Sequence, residues 1–147
     1  MIEDIIGYSF RERAHLERAL TRLAYASEQG LGPDANLDAL ATLGDAVLDV
    51  VVIKALMDAG ETEKGVISRR KMEMVNMSVL RRLAESIELQ KYVHWGRGEI
   101  TQRVWVSGRV LAECMEALCG ALFLDGGLWA VESVLTNLGF SEQIRDS

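Results

Sequence analysis

Proline is almost missing from this sequence, with Pro33 the single example in 147 residues. It sits in a turn-rich stretch, EQGLGPDAN, and elsewhere little interrupts a helical reading. Cysteine is equally scarce. Cys114 and Cys119 lie five apart in a segment read as helix, so they point in different directions, make no metal spacing and are read as reduced core residues. No run of about 18 apolar residues occurs, and MIEDIIGY carries acids where a secretory leader needs a basic start. The expectation is a cytoplasmic protein without membrane contact. Internal repeats and low-complexity tracts are also missing, which leaves one domain over 1–147.

Positive charge is in short supply overall: 16 Lys and Arg stand against 22 Asp and Glu, for a net charge of −6. Phosphate binding depends on basic side chains replacing counterions, so the total argues against a nucleic-acid partner. The distribution argues the other way. Residues 1–63 hold 5 basic and 12 acidic side chains, residues 64–109 hold 10 and 4, and residues 110–147 hold 1 and 6. One basic block lies between two acidic ones, either a solvated face or a basic surface beside an acidic pocket.

Leu16, Leu20 and Leu23 are spaced by four and three, which predicts an amphipathic helix over 11–28. The segment 37–59 contains a β-branched run, VLDVVVI, but its length exceeds any usual strand. Leu40, Leu43, Val47, Val50 and Leu56 continue one helical stripe, so a central buried helix is expected, with Gly60 closing it. Further helices are predicted from Glu63 or Lys64, over 77–86, over 109–124 up to Asp125, Gly126 and Gly127, and over 128–137, with a loop at 94–99. ITQRVWVSG is too short to build a sheet. The fold class is all-α, with six or seven helices.

Carboxylates on apolar helices need an explanation, because a buried unpaired charge costs several kcal/mol or shifts its pKa. Asp38, Ala41 and Asp45 share one helix face, and Glu113 and Glu116 are one turn apart on another helix. Gly44 costs about 1 kcal/mol in a helix interior, a cost recovered when a second helix packs closely. Ala117, Gly120 and Ala121 permit that approach. Facing strips would gather the oxygen ligands that suit a hard cation such as Mg²⁺; acids paired with arginine or exposed to solvent are the alternative.

In order and spacing, IIGYSF (5–10), ERALTRLAY (17–25), LATLGDAVLDVVV (40–52), GVISRRKMEMVN (65–76), WGRGE (95–99) and LAECMEALCGALFLDGG (111–127) resemble the catalytic domain of the ribonuclease III family. The resemblance implies a metal-dependent endoribonuclease that acts on double-stranded RNA as a homodimer and leaves 5′-phosphates with short 3′ overhangs. Asp45 matches the signature aspartate and Glu116 the metal-bridging glutamate. Glu113 stands where the family has an aspartate, Ala41 where it has a glutamate, and Asp38 at a further acidic position. A small residue at Ala41 and the lack of a separate RNA-binding domain resemble the mini-ribonuclease III branch, whereas the Gly-Tyr-x-Phe opening departs from it. Thr42 replaces an aromatic residue of the family's dimer contact.

The cofactor implied by this resemblance is Mg²⁺, with Mn²⁺ as a substitute, held by Asp45 and Glu116 with Glu113 and Asp38 as outer ligands. The RNA, double-stranded or structured, lies on Arg69, Arg70, Lys71, Arg97, Arg103 and Arg109, which suit recognition of A-form shape. Arg69, Arg70 and Lys71 can equally serve as partners of helix carboxylates. His15 and His94 are not read as bases, and Trp95 and Trp105 are read as packing before stacking. The alternative function is a catalytically inactive scaffold that binds structured RNA or a protein, which the alanine at position 41 favours.

Overall fold

Asn36 starts the central helix. Buried between the turn and the core, its side-chain oxygen accepts the Asp38 N–H at 2.9 Å and its amide donates to the Pro33 carbonyl at 3.2 Å. The first orphan donor of the helix is thereby engaged. The structure, a computed structural model, describes residues 1–140. Among them run eight α-helices: α1 (Ile2–Ile6), α2 (Arg13–Ala19), α3 (Leu23–Glu28), α4 (Asp38–Asp58), α5 (Lys64–Met74), α6 (Met77–Ser86), α7 (Arg97–Gln102) and α8 (Gly108–Asn137). Two 3₁₀ turns, Leu89–Lys91 and Val104–Val106, complete the described chain, which has no strand of its own.

The helix expected over 11–28 is two helices. His94 N–H donates to the Leu20 carbonyl at 2.7 Å and Arg22 N–H to the His94 carbonyl at 3.2 Å, a two-residue extended clip centred on Thr21. Those contacts take the backbone groups that a continuous helix would need, and Leu23 ends up exposed. The loop expected at 94–99 likewise turns into α7 at Arg97, opened by Glu99, whose carboxylate accepts the Gly96 N–H at 3.1 Å and pairs with Arg22 at 2.7 Å. This splitting raises the helix count above the six or seven expected.

Helices α4 and α8 are the core, and their crossing is set by glycine. A Cβ on Gly44 would lie 1.7 Å from the Glu116 carbonyl oxygen, and a Cβ on Gly120 would lie 2.2 Å from that of Leu40. Only backbones without side chains at both points approach this closely. From Leu111 to Leu122, α8 is buried except at Glu113 and Glu116, which are half-buried, and both cysteines are free and buried. Gly127, at φ +69°, breaks the helix as the glycine pair in the sequence implies, and Ala130, Val131, Val134 and Leu135 re-enter the core beyond it.

Helix α4 carries two apolar faces rather than one. Leu40, Gly44, Val47, Leu48, Val51, Val52 and Leu56 are buried, whereas Leu43 is partly exposed and Val50 and Met57 are 49% and 59% exposed. Val50 therefore leaves the predicted core stripe, while Leu43 packs partly against the core; with Ala46, Ile53 and Met57 these two positions form a second seam at spacings of three and four. The N-terminal turn is tied down by Asp125, which accepts from Tyr8 Oη at 2.6 Å and from the N–H groups of Arg11 and Glu12 at 2.9 and 2.8 Å.

Candidate active site

The crossing of α4 and α8 opens on one side into a cleft of about 620 Å³. Asp38, Ala41, Thr42 and Asp45 line it from α4, Asn76, Met77 and Leu80 from the start of α6, and Arg109, Ala112, Glu113 and Glu116 from α8. All four carboxylates expected from the sequence thus share one cleft. They are not equivalent. Asp38 and Asp45 are exposed at its open side, while Glu113 and Glu116 are half-buried on its wall.

Asp45, placed by sequence pattern in a core helix, keeps its water; Glu116 bears the burial. Its carboxyl is pushed up to about 8 by burial first, then by the hydrogen bond and negative charge of Asp45, then by the charges of Glu113 and Asp49. Glu116 therefore holds its proton up to near neutral pH beside the Asp45 carboxylate. Glu113 and Asp38 stand further off: among the described residues no three His, Cys, Asp or Glu side chains are gathered tightly enough to hold a metal ion. The donor set nonetheless suits a hard divalent cation, since it is all oxygen and its mutual repulsion is what a cation relieves.

The raised value has a measurable consequence. Between the ordinary carboxylate pKa and about 8 the folded state binds more protons than the unfolded one, so stability falls as pH rises through that window. Thermal melting of the metal-free protein in EDTA is expected to weaken from pH 5 to pH 8, and Glu116→Gln is expected to flatten that slope. Equal slopes for the two proteins would contradict the raised Glu116 carboxyl.

The predicted basic residues divide. Arg109 alone reaches the carboxylate cleft. Lys71 pairs across helices with Asp49 at 3.6 Å and so acts at least as a partner for an α4 acid. Arg69, Arg97 and Arg103 are exposed, and Arg70 is half-buried. His94 is an anchor, stacked on Tyr25 with ring centroids 5.2 Å apart, and the buried Trp95 donates to the Gln90 carbonyl at 3.0 Å. One residue of the site escaped the sequence reading. Asn76 caps α6 by accepting the Val79 N–H at 3.0 Å and donates to the Met72 and Glu73 carbonyls at 2.9 and 3.0 Å, so it fixes the α5–α6 corner at the cleft. Its signal was an asparagine immediately before a predicted helix.

The fold and cleft define an all-helical domain with a carboxylate site at the closest contact of its two core helices. The chain belongs to the ribonuclease-III-like family, whose model matches residues 12–141. It is 37% identical to Ribonuclease 3 of Bdellovibrio bacteriovorus over 91% of this chain and 57% of that protein. Ribonuclease 3 of Caldanaerobacter subterraneus subsp. tengcongensis is 36% identical over 99% of this chain and 63% of its own length. The chain thus spans somewhat over half the length of these curated relatives. In fold it is similar to the nuclease domain of ribonuclease III from Campylobacter jejuni, at TM-score 0.84 and 24% identity, covering 97% of this chain and 95% of that one. That structure was described as flexible in a region involved in dimer formation.

Proposed function

We propose that this protein is a divalent-metal-dependent endoribonuclease that hydrolyses phosphodiester bonds in double-stranded or structured RNA and leaves 5′-phosphate ends. The observation that carries the reading is the close contact at Gly44 and Gly120, which brings Asp45 and Glu116 together on the wall of one open cleft. Family membership and relatives named Ribonuclease 3 support it.

Asp45 and Glu116 would hold Mg²⁺ or Mn²⁺, with Glu113 and Asp38 as outer oxygens. When bound, the cation supplies Lewis acidity toward water and neutralises charge on the phosphate. The protein's own part is to release the proton held by the raised Glu116 carboxyl, to fix Asp45 and Glu116 by the close backbone contact of α4 and α8, and to position the attacked phosphate in line. No serine, cysteine or histidine acts as nucleophile. RNA lies along Arg69, Arg97 and Arg103, read by shape through phosphates and 2′-hydroxyls. Binding should therefore weaken steeply with salt, and charge reversal at Arg69 and Arg103 should lower it alike on all duplex sequences. Salt-insensitive binding in a filter or anisotropy titration would contradict this surface.

The second apolar seam of α4 supports a homodimer, since Val50 and Met57 otherwise face water. Sedimentation is expected to give about twice the 16.3 kDa chain mass, and Val50→Glu to give a single chain; a wild-type monomer at micromolar concentration would rule the dimer out. A cytoplasmic location fits this substrate. The competing reading, a non-cleaving scaffold for structured RNA, has one observation in its favour: Ala41 lines the cleft and offers no ligand. Incubation of a perfectly paired RNA with Mg²⁺, Mn²⁺ or EDTA decides between them. Cleavage with either metal and none in EDTA is expected, and binding without cleavage would favour the scaffold.

A further inference from the structure

Among the described residues, Arg109 is the one cation in a cleft otherwise lined by carboxylates and small, polar or apolar side chains. Four acids lie around it, yet it makes no ion pair with any described residue and remains exposed. An arginine present to neutralise the acids would be paired with one of them, as Lys71 is with Asp49. Helix stability does not account for it either, because a cation in the first turn of a helix opposes the macrodipole. The Arg81 side chain of α6 lies against the first turn of α8, 2.7 Å from where a Cβ on the preceding Gly108 would stand.

Arg109, Glu113 and Glu116 follow one face of α8, and opposite them Ala41 leaves room rather than a further carboxylate. A phosphodiester entering this cleft meets repulsion from the acids and finds a single guanidinium with its donors free. Guanidinium is suited to non-bridging phosphate oxygens, which it binds through two parallel N–H donors.

We infer that Arg109 is the phosphate-binding side chain of this cleft: it takes the non-bridging oxygens of the phosphate under attack and, once the strand is cut, those of the 5′-phosphate product. The assignment rests on the nuclease reading and goes beyond it by separating Arg109 from the outer RNA surface. Arg69 and Arg103 hold the duplex wherever it lies, whereas Arg109 recognises the reacting group.

The test compares the affinity of short product-type duplexes carrying either a 5′-phosphate or a 5′-hydroxyl, with Mg²⁺ present, for wild type, Arg109→Ala, Arg109→Lys and Arg103→Ala. Wild type should prefer the phosphorylated duplex by about tenfold, the scale of one charge-assisted hydrogen-bonded contact. Arg109→Ala should lose that preference, Arg109→Lys should retain part of it, and Arg103→Ala should weaken both duplexes alike. Because Arg109 is exposed, unchanged thermal melting is expected to accompany the loss. Retention of the full preference in Arg109→Ala, or no preference in a wild type that cuts duplex RNA, would overturn the assignment and leave the nuclease reading standing. A wild type that neither binds nor cuts any duplex would overturn both.

Discussion

Gly44→Ala is expected to lower the melting temperature by roughly 10 °C or more, equivalent to about 3 kcal/mol or above for a chain of this size. The added methyl would fall 1.7 Å from the Glu116 carbonyl oxygen, well inside contact distance and against backbone that no rotamer change can move. Relief requires α4 and α8 to separate along the contact that organises the core. Gly120→Ala meets the Leu40 carbonyl at 2.2 Å and should act in the same direction. A surface control such as Gly98→Ala, whose Cβ would meet nothing within 4 Å, should change little. Because the same contact sets the Asp45–Glu116 pair, any folded Gly44→Ala protein should also lose activity beyond its loss of stability. Melting near the wild-type value would show that the helices cross less closely than the structure has them.

Asp45→Asn and Glu116→Gln should each reduce duplex-RNA cleavage by at least about a hundredfold, since metal stabilisation supplies several kcal/mol and each 1.36 kcal/mol is a factor of ten. The folds should survive, because both substitutions keep the side-chain shape and remove repulsion within the pair. Metal-free Glu116→Gln should melt at or above wild type near pH 8, where the acid is half-ionised. Ala41→Glu is the converse experiment: it adds a carboxylate to the same cleft and should tighten Mg²⁺ binding. Loss of folding in either neutral variant would move these acids from chemistry to structure.

Much of this arrangement was legible in the residues, and the parts that were not share a cause. Helix α6 and the break of α8 at Gly127 follow from local pattern and fall where the sequence placed them. Gly44 beside Asp45 stood out because a glycine and an acid both oppose a buried apolar helix, and the pairing with Gly120 and Glu116 answers both anomalies. The division of 11–28 was hidden because its cause, the clip from His94, lies far along the chain. A helix apolar nearly all round also admits more than one stripe, which is why the pattern does not separate the exposed Val50 from the core face that Leu43 still touches. For Lys71 the residues leave both an RNA contact and a helix-carboxylate partner open, and the fold adds the partner, Asp49 across the helix pair. Charge pattern located the basic block, and only the fold separated Arg109 from it.

The most direct test of the account is the rate of duplex-RNA cleavage by wild type, Asp45→Asn and Glu116→Gln across a Mg²⁺ titration. The predicted result is a wild-type rate that rises and saturates with Mg²⁺ and vanishes in EDTA, with both variants at least about a hundredfold lower throughout. The same rate in all three proteins, zero included, would contradict a metal-dependent centre at the α4–α8 contact.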